Sequence, residues 1–189
     1  MDARTFGKMA APMVRRLGNM MARGVVALAD SARKMQQIQC RLLAGEVADL
    51  EHFESYGFTS RPHPGAEVVT MFFDGDRSHG VIIVAADRRY RLAALEYGEV
   101  ALHDDQGQSV HLTRDGIVVN GGGLPITFTN TPKVRFETPQ FEVTGEIEDR
   151  CDTNSRTVSD MREIYDTHTH PENDAGGPTD EPNQQMGGY

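Results

Sequence analysis

The sequence contains no tryptophan and only two cysteines, and it has no apolar run long enough to cross a bilayer as a helix. A membrane-spanning helix needs about 20 consecutive apolar residues, whereas one of the longest runs here covers only residues 81–86. Cys40 and Cys151 are far apart, which indicates unpaired thiols in a reducing compartment. Pro12 and Arg23 interrupt the apolar stretches near the N-terminus, so no secretory signal is visible. We expect a soluble protein made in the cytoplasm.

Positive charge is also in short supply. The 19 lysine and arginine residues are outnumbered by 28 aspartate and glutamate residues, which gives a formal net charge of −9. A general nucleic-acid-binding protein normally carries a basic face, so we expect no specific nucleic-acid ligand. Apolar residues make up 38% of the chain, below the usual share of a globular domain, and there are 19 glycines. This composition indicates short strands with many turns, or a core that other subunits complete.

An apolar stripe near the N-terminus predicts a helix. Its members recur at spacings of mostly three and four residues: Met9, Met13, Leu17, Met20, Met21, Val25 and Leu28. The arginines of this segment fall largely outside the stripe, as they do in an amphipathic helix. We assign residues 1–33 to an N-terminal helical segment, which either packs on the core or docks on a partner protein.

The following region, residues 34–97, has the pattern of short strands. Apolar positions alternate or cluster in three runs, and turn-forming residues separate them: runs at 36–42, 68–73 and 81–84, turns at 61–65 and 74–76. This pattern predicts a small closed β-barrel of the oligonucleotide-binding (OB) type. Such a fold by itself implies no nucleic-acid ligand.

From residue 98 onward, short apolar strands recur at intervals of roughly seven to ten residues, separated by Gly, Asp and Pro turns. One chain supplies a single narrow apolar stripe per strand, which cannot close a core alone. Three chains wound around a shared axis would close the core and leave no free edge. We therefore predict an intertwined trimeric β-helix over residues 98–170, with a β-sandwich edge region as the alternative. Residues 171–189 form a polar tail.

His168 and His170 are the candidate metal ligands. Residues two apart project from the same face of an extended strand, and Pro171 disfavours a helix through the pair. Imidazole nitrogens suit iron, zinc, copper and nickel. One chain supplies two such ligands, whereas three chains around an axis supply the full set that an octahedral ion needs. The pair therefore predicts a metal-bound tip of the spike, with His168 and His170 contributed by each of three chains.

Two other interpretations of the histidine pair stay open: a metal-dependent hydrolase, or surface histidines that bind nothing. A hydrolase needs further ligands and an open water position, and no histidine follows His170. The sequence also has no nucleophile elbow and no phosphate-binding loop. We therefore predict no catalytic residues and no enzymatic activity.

The order of these regions resembles a known family. A small barrel, a short-repeat β region and a His-x-His-Pro end occur together with two distinctive segments, residues 74–80 (DGDRSHG) and 98–107 (GEVALHDDQG). In this combination the chain resembles the Mu-like branch of the phage baseplate assembly protein V family, whose members form the central spike of contractile tails. The resemblance covers nearly the whole chain.

The resemblance implies a homotrimer at the centre of the virion tail baseplate, assembled in the host cytoplasm. It implies contacts with baseplate hub and tail tube proteins, closure of the tube, and mechanical penetration of the host outer membrane during tail contraction. It also implies one iron ion per trimer at the apex, held here by His168 and His170. Calcium and chloride would be further ions of the spike, at positions that no residue pattern locates. A single-domain binding or assembly module of the OB type is the alternative function.

The chain departs from the family pattern after the histidine pair. Here 19 residues follow His170, so the apex is not simply the chain end. We expect the tail either to fold back along the needle or to cover its tip.

Overall fold

The computed structural model describes residues 3–171 and 176–186. These residues form two compact units, the first reaching Thr127 and the second beginning at Phe128. The first unit contains one helix and eight strands, and the described part of the second contains one helix. The protein is therefore mainly β in its regular structure, as the sequence predicts.

The N-terminal helix is shorter than its apolar spacing predicts. Helix α1 spans Ala3–Asn19, and strand β1 follows at Met21–Asp30. The prediction of a helical stripe over residues 9–28, in a helical segment reaching residue 33, is therefore wrong beyond residue 19.

A bulge in β1 explains why the strand imitates a helix. The strand register shifts between Val26 and Leu28, so the buried positions are Val26 and Ala29, while Met21, Val25 and Leu28 are exposed. A bulge inserts one extra residue and changes the spacing from two to three. The resulting apolar pattern has helical spacing, although its members Met21, Val25 and Leu28 all lie on the exposed side of a strand.

Five strands close the predicted small barrel, which is confirmed. After β1 come β2 (Gln37–Leu42), β3 (Val47–His52), β4 (Glu67–Phe72) and β5 (Gly80–Ala86). Their order around the barrel is β1-β2-β3-β5-β4, and β4 pairs back onto β1. Only the β3–β5 pair is parallel. The barrel thus runs from residue 21 to residue 86, and it includes a strand from the region predicted to be helical.

The barrel core follows from strict alternation along β2 and β4. Every second residue of these strands points inward, and the buried apolar set is Val26, Ala29, Ile38, Cys40, Leu42, Leu50, Ala66, Val68, Phe72 and Ile82. Gly80 lets the Phe72 ring enter this core, since a Cβ built at Gly80 would lie 2.4 Å from Phe72 Cδ1. The barrel therefore completes its own core with residues of one chain.

A second, smaller sheet follows the barrel. Strands β6 (Val100–His103), β7 (Ser109–Leu112) and β8 (Ile117–Asn120) form an antiparallel meander in the order β6-β7-β8. These are the first three short strands that the repeat pattern predicts. A hydrogen bond joins the β6–β7 turn to the barrel, with His63 Nε2 2.9 Å from Asp105 Oδ2.

The second unit begins with an extended segment and ends in a short helix. Helix α2 spans Val158–Thr167, and its first turn has a capping box: the Thr157 side chain accepts from the Asp160 amide, while the Asp160 carboxylate accepts from the Thr157 amide. An isolated bridge pairs Glu148 with Thr157. No regular strand follows Asn120 in the described residues, so the strands that the repeat pattern predicts between residues 126 and 143 are not formed within the described part of the chain.

Candidate assembly faces and metal ligands

The β6–β8 sheet carries an uncovered apolar face. Its register places Val100 opposite Leu112 and Leu102 opposite Val110, and β8 continues both rows. All six members are exposed: Val100, Leu102, Val110, Leu112, Ile117 and Val119. We call these six residues the apolar sheet face. An apolar face of this kind marks an interaction surface, because isolated exposed apolar residues are ordinary but contiguous ones are not.

The opposite face of the sheet is partly covered by the chain at β7, whereas its β8 residues Val118 and Asn120 are exposed. In β7, Ser109 and His111 are half-buried while Val110 and Leu112 are exposed. The Glu99 carboxylate accepts from His111 Nε2 at 3.2 Å and from the amides of Glu96 and Arg114. The amide of Glu96 is the main cause of the lowered pKa of Glu99. The usual arrangement of an amphipathic sheet is thus inverted in a single chain.

The segment at residues 128–147 repeats the same inversion without any sheet. Its apolar residues alternate with polar ones and are all exposed: Phe128, Val134, Phe136, Phe141, Val143 and Ile147. Between residues 128 and 146 no main-chain group bonds to another main-chain group among the described residues. Main-chain N–H and C=O groups are obligatory hydrogen-bonding groups, so this extended segment has both an unused apolar row and unused strand edges.

Two identical turns set a repeat within that segment. The Thr131 hydroxyl donates to the Lys133 carbonyl at 2.9 Å, and the Thr138 hydroxyl donates to the Gln140 carbonyl at 2.8 Å. A proline follows each threonine, and an apolar pair follows each turn. The unit repeats every seven residues, with Thr131 and Thr138 at its first position. This short, regular unit is typical of a solenoid in which each repeat contributes one strand.

The two predicted metal ligands lie side by side just beyond α2. His168 is the C-cap residue with extended backbone angles, and the rings of His168 and His170 are 5.1 Å apart, centroid to centroid, at 85°. His168 Nδ1 lies 2.6 Å from the Tyr165 carbonyl oxygen. A carbonyl oxygen only accepts, so Nδ1 is the donor in this contact, and Nε2 is the ring nitrogen that this contact leaves free.

This donor set suits a shared metal ion and falls short of one within a single chain. A metal-ligating histidine normally donates its second ring nitrogen to a carbonyl or carboxylate, as His168 does to Tyr165. The described residues contain no group of three histidine, cysteine or acidic side chains that could hold a metal ion. His168 and His170 are therefore the two residues of this segment whose ring nitrogens could hold a metal ion.

Helix α1 presents a second uncovered apolar surface. Met9, Met13, Val14 and Leu17 are exposed along one side, and the helix contains four basic residues and no acidic one. Its C-terminal end rests on the turn after β4, where a Cβ built at Gly75 would lie 2.4 Å from the Arg16 carbonyl oxygen. No helix among the described residues is long and apolar enough to span a membrane.

Known proteins share both the barrel and the region beyond it. The family model for Bacteriophage Mu Gp45, N-terminal, matches residues 23–89, which is the barrel. The baseplate puncturing device gp45 of Escherichia phage Mu is 33% identical over 142 residues, covering 75% of this chain and 72% of that protein. The chain belongs to the Mu gp45 family. The Mu-like prophage FluMu protein gp45 of Haemophilus influenzae is also a relative, 32% identical over 147 residues that cover 75% of this chain and 80% of that protein.

Two features of this Mu gp45 family member escaped the sequence reasoning. The first is the seven-residue Thr-Pro unit, for which a signal existed: the dipeptide recurs at 131–132 and 138–139. The second is Thr179, which bonds to His170 through its amide and its hydroxyl. No spacing rule indicates that contact, because it joins two polar segments that lack any periodic pattern.

Proposed function

We propose that the chain is a structural component of a phage tail baseplate, and that three copies form the central spike that pierces the host outer membrane. Membership of the Mu gp45 family supports the baseplate role, since the phage Mu relative is named as a baseplate puncturing device. In this proposal the barrels form a collar that closes the tail tube, and the region beyond residue 98 forms the needle.

The inverted apolar alternation is the observation that carries this proposal. The apolar sheet face and the row over residues 128–147 are exposed in one chain, and the row has no main-chain pairing. Winding identical chains around an axis would bury each row against its copies and pair the free edges. Burial of an apolar side chain contributes about 1.5–3 kcal/mol, so many such residues per chain favour assembly strongly.

The proposed metal ligands agree with three copies, the number first proposed from the shared core. Two imidazoles per chain make a six-nitrogen set in a trimer, which suits one octahedral ion, and iron is the ion we propose. An ion bound there ties the three chains together at the tip, where fraying of the needle would begin, and binding energy that exists only in the assembly adds to its stability. We assign no residue to calcium or chloride.

Metal analysis of the purified full-length protein tests the tip. We expect about one iron atom per three chains, and we expect the double variant His168→Ala/His170→Ala to lose it. The control is His103→Ala, which changes an exposed histidine of β6 and should keep the metal. Purified trimer without a transition metal, prepared with iron present, would remove the metal from the proposal and leave the trimer standing.

The proposed action is mechanical. Tail contraction would drive the spike into the membrane, and the narrow needle would concentrate the force. Inter-chain strands would resist unzipping, because each chain is held along its length by two neighbours. A monomeric full-length protein would favour the alternative, a single-barrel binding or assembly module.

Helix α1 is our candidate for the contact with the baseplate hub or the tail tube. Its exposed methionines adapt to irregular surfaces, and its basic charge suits an acidic rim on the partner. Met13→Glu should weaken co-purification with the hub or tube protein of the same tail. Ala11→Glu is the matched control, since it adds the same charge on the opposite side of the helix. Equal loss in both variants would count against docking through the stripe.

A further inference from the structure

The C-terminal segment at residues 176–186 returns to the histidine pair. The Thr179 amide donates to the His170 carbonyl at 2.9 Å, and the His170 amide donates to the Thr179 hydroxyl at 2.8 Å. Farther along, the Met186 amide donates to Asp166 Oδ1 at 2.7 Å. The segment therefore runs antiparallel to residues 166–170 and touches both ends of that stretch.

We propose that residues 176–186 form a strap that holds the His168-Thr169-His170 segment in its extended conformation, with Thr179 as the positioning residue. The strap makes no use of the imidazole rings in these contacts. Its Thr179 bonds to both main-chain hydrogen-bonding groups of His170. Its other end bonds to Asp166, one residue before the end of α2. The rings stay available, while the backbone that carries them is fixed.

The need for a strap follows from where the pair lies. Helix α2 ends at Thr167, so His168 is held by the helix end and by its bond to Tyr165. His170 lies three residues beyond the end of the helix. Fixing the backbone of one residue costs about 1–2 kcal/mol of conformational entropy. A ligand segment that is already ordered does not lose that entropy when it binds.

The consequence for metal binding rests on the proposed metal-bound tip. If His168 and His170 bind an ion, then a loosened strap lowers the affinity without changing a ligand. A change that loosens the strap should leave the trimer mass and the stability of the barrel unchanged, because the barrel core consists of residues of the barrel itself. A positioning role predicts that metal affinity falls while stability stays the same. A general structural role predicts that both fall together.

The test uses full-length protein with Thr179→Val, which removes the hydroxyl at nearly constant shape, and Thr179→Ser, which keeps it. Amide hydrogen exchange at His170 is measured by mass spectrometry on metal-free protein. We expect exchange to speed up by about fivefold or more in Thr179→Val, which is the effect of one net hydrogen bond, and to stay unchanged in Thr179→Ser. A cobalt(II) titration of the same proteins should show a matching loss of affinity only for Thr179→Val, with unchanged trimer mass and barrel unfolding.

The outcomes separate the strap from the metal site. Equal exchange at His170 in wild type and Thr179→Val overturns the strap, whatever the metal does. Faster exchange in Thr179→Val supports the strap even if wild-type protein binds no cobalt(II), in which case the metal-bound tip is the part that fails. Faster exchange with unchanged cobalt(II) affinity would contradict the positioning role of Thr179.

Discussion

The barrel and the sheet that follows it use the same alternation of apolar and polar residues, yet they bury opposite halves of it. In β4, Val68, Thr70 and Phe72 point inward and are at most 1% exposed. In β7, the corresponding apolar residues Val110 and Leu112 are 38% and 47% exposed, and the polar residue between them, His111, is half-buried. A period-two pattern therefore identifies which face of a strand is to be buried, and the rest of the fold decides what buries it.

Closure makes the difference between the two regions. The five strands form a closed barrel because β4 pairs with β1. Every inward-facing apolar row therefore faces another row of the same chain. The three-stranded sheet stays open at β6 and β8, and residues 128–146 have no main-chain partner among the described residues. An exposed apolar edge is an aggregation hazard unless a defined partner covers it. The chain thus carries one complete core and a second set of apolar rows that no part of the described chain covers.

The largest expected effect comes from placing a charge on the apolar sheet face. Val119→Asp would put three carboxylates into the shared core, and each buried ion costs several kcal/mol, so we expect the assembly to dissociate. Val118→Asp is the matched control: Val118 and Val119 are 52% and 55% exposed in one chain, but they point to opposite faces of β8. Native mass spectrometry should find monomers for Val119→Asp and the unchanged assembly for Val118→Asp. If the two variants have the same mass, the two faces of β8 do not differ in their contribution to assembly.

A truncation in the barrel core should destabilise the barrel but leave the assembly intact. Phe72→Ala removes a fully buried ring and should lower the free energy of unfolding of the barrel by about 3–5 kcal/mol. Phe58→Ala removes an exposed ring and should change it by no more than about 0.5 kcal/mol. Denaturant unfolding of the full-length protein measures both. Loss of the assembly in Phe72→Ala under conditions where the barrel is still folded would show that the two cores are not independent.

A smaller effect is expected at the N-cap of α2, the helix that precedes the histidine pair. Thr157→Ala removes one half of the capping box and should destabilise the helix by about 1 kcal/mol. Thr157→Ser keeps the hydroxyl and is the control. Amide exchange in α2 is the measurement, and we expect faster exchange only for the alanine variant. Unchanged exchange would indicate that assembly contacts, and not the cap, hold the helix.

The smallest effect is a pH dependence confined to the barrel. His52 is 6% exposed, and burial lowers its pKa below the ordinary value of 6.5, against the opposing pull of Glu54. The unfolded chain therefore binds more protons than the folded one below about pH 6.5, so stability is full above that pH and falls as the pH drops through this range. His52→Leu should flatten the loss between about pH 7 and pH 5, whereas the exposed-histidine variant His103→Leu should keep it. A slope that survives in His52→Leu would assign the dependence to another group.

The strands were predictable because their signals are local. Alternation between turn residues marked β2, β4, β5 and β6–β8. The end of α1 was missed because the bulge at Val26 gives a strand the spacing of a helix. The histidine pair was visible as a two-apart motif, whereas the Thr179 contact depends on a chain reversal that no periodicity encodes. The sequence showed the apolar rows that a single chain leaves exposed, but not the partner that covers them.

The mass of the full-length protein in solution tests the central claim most directly. We expect native mass spectrometry, supported by light scattering, to give three times the chain mass of 20.9 kDa at micromolar concentration. A shared needle core predicts that this assembly persists on dilution, because each chain contributes strands to the same core. A mass of 20.9 kDa for the intact chain would contradict the trimeric spike.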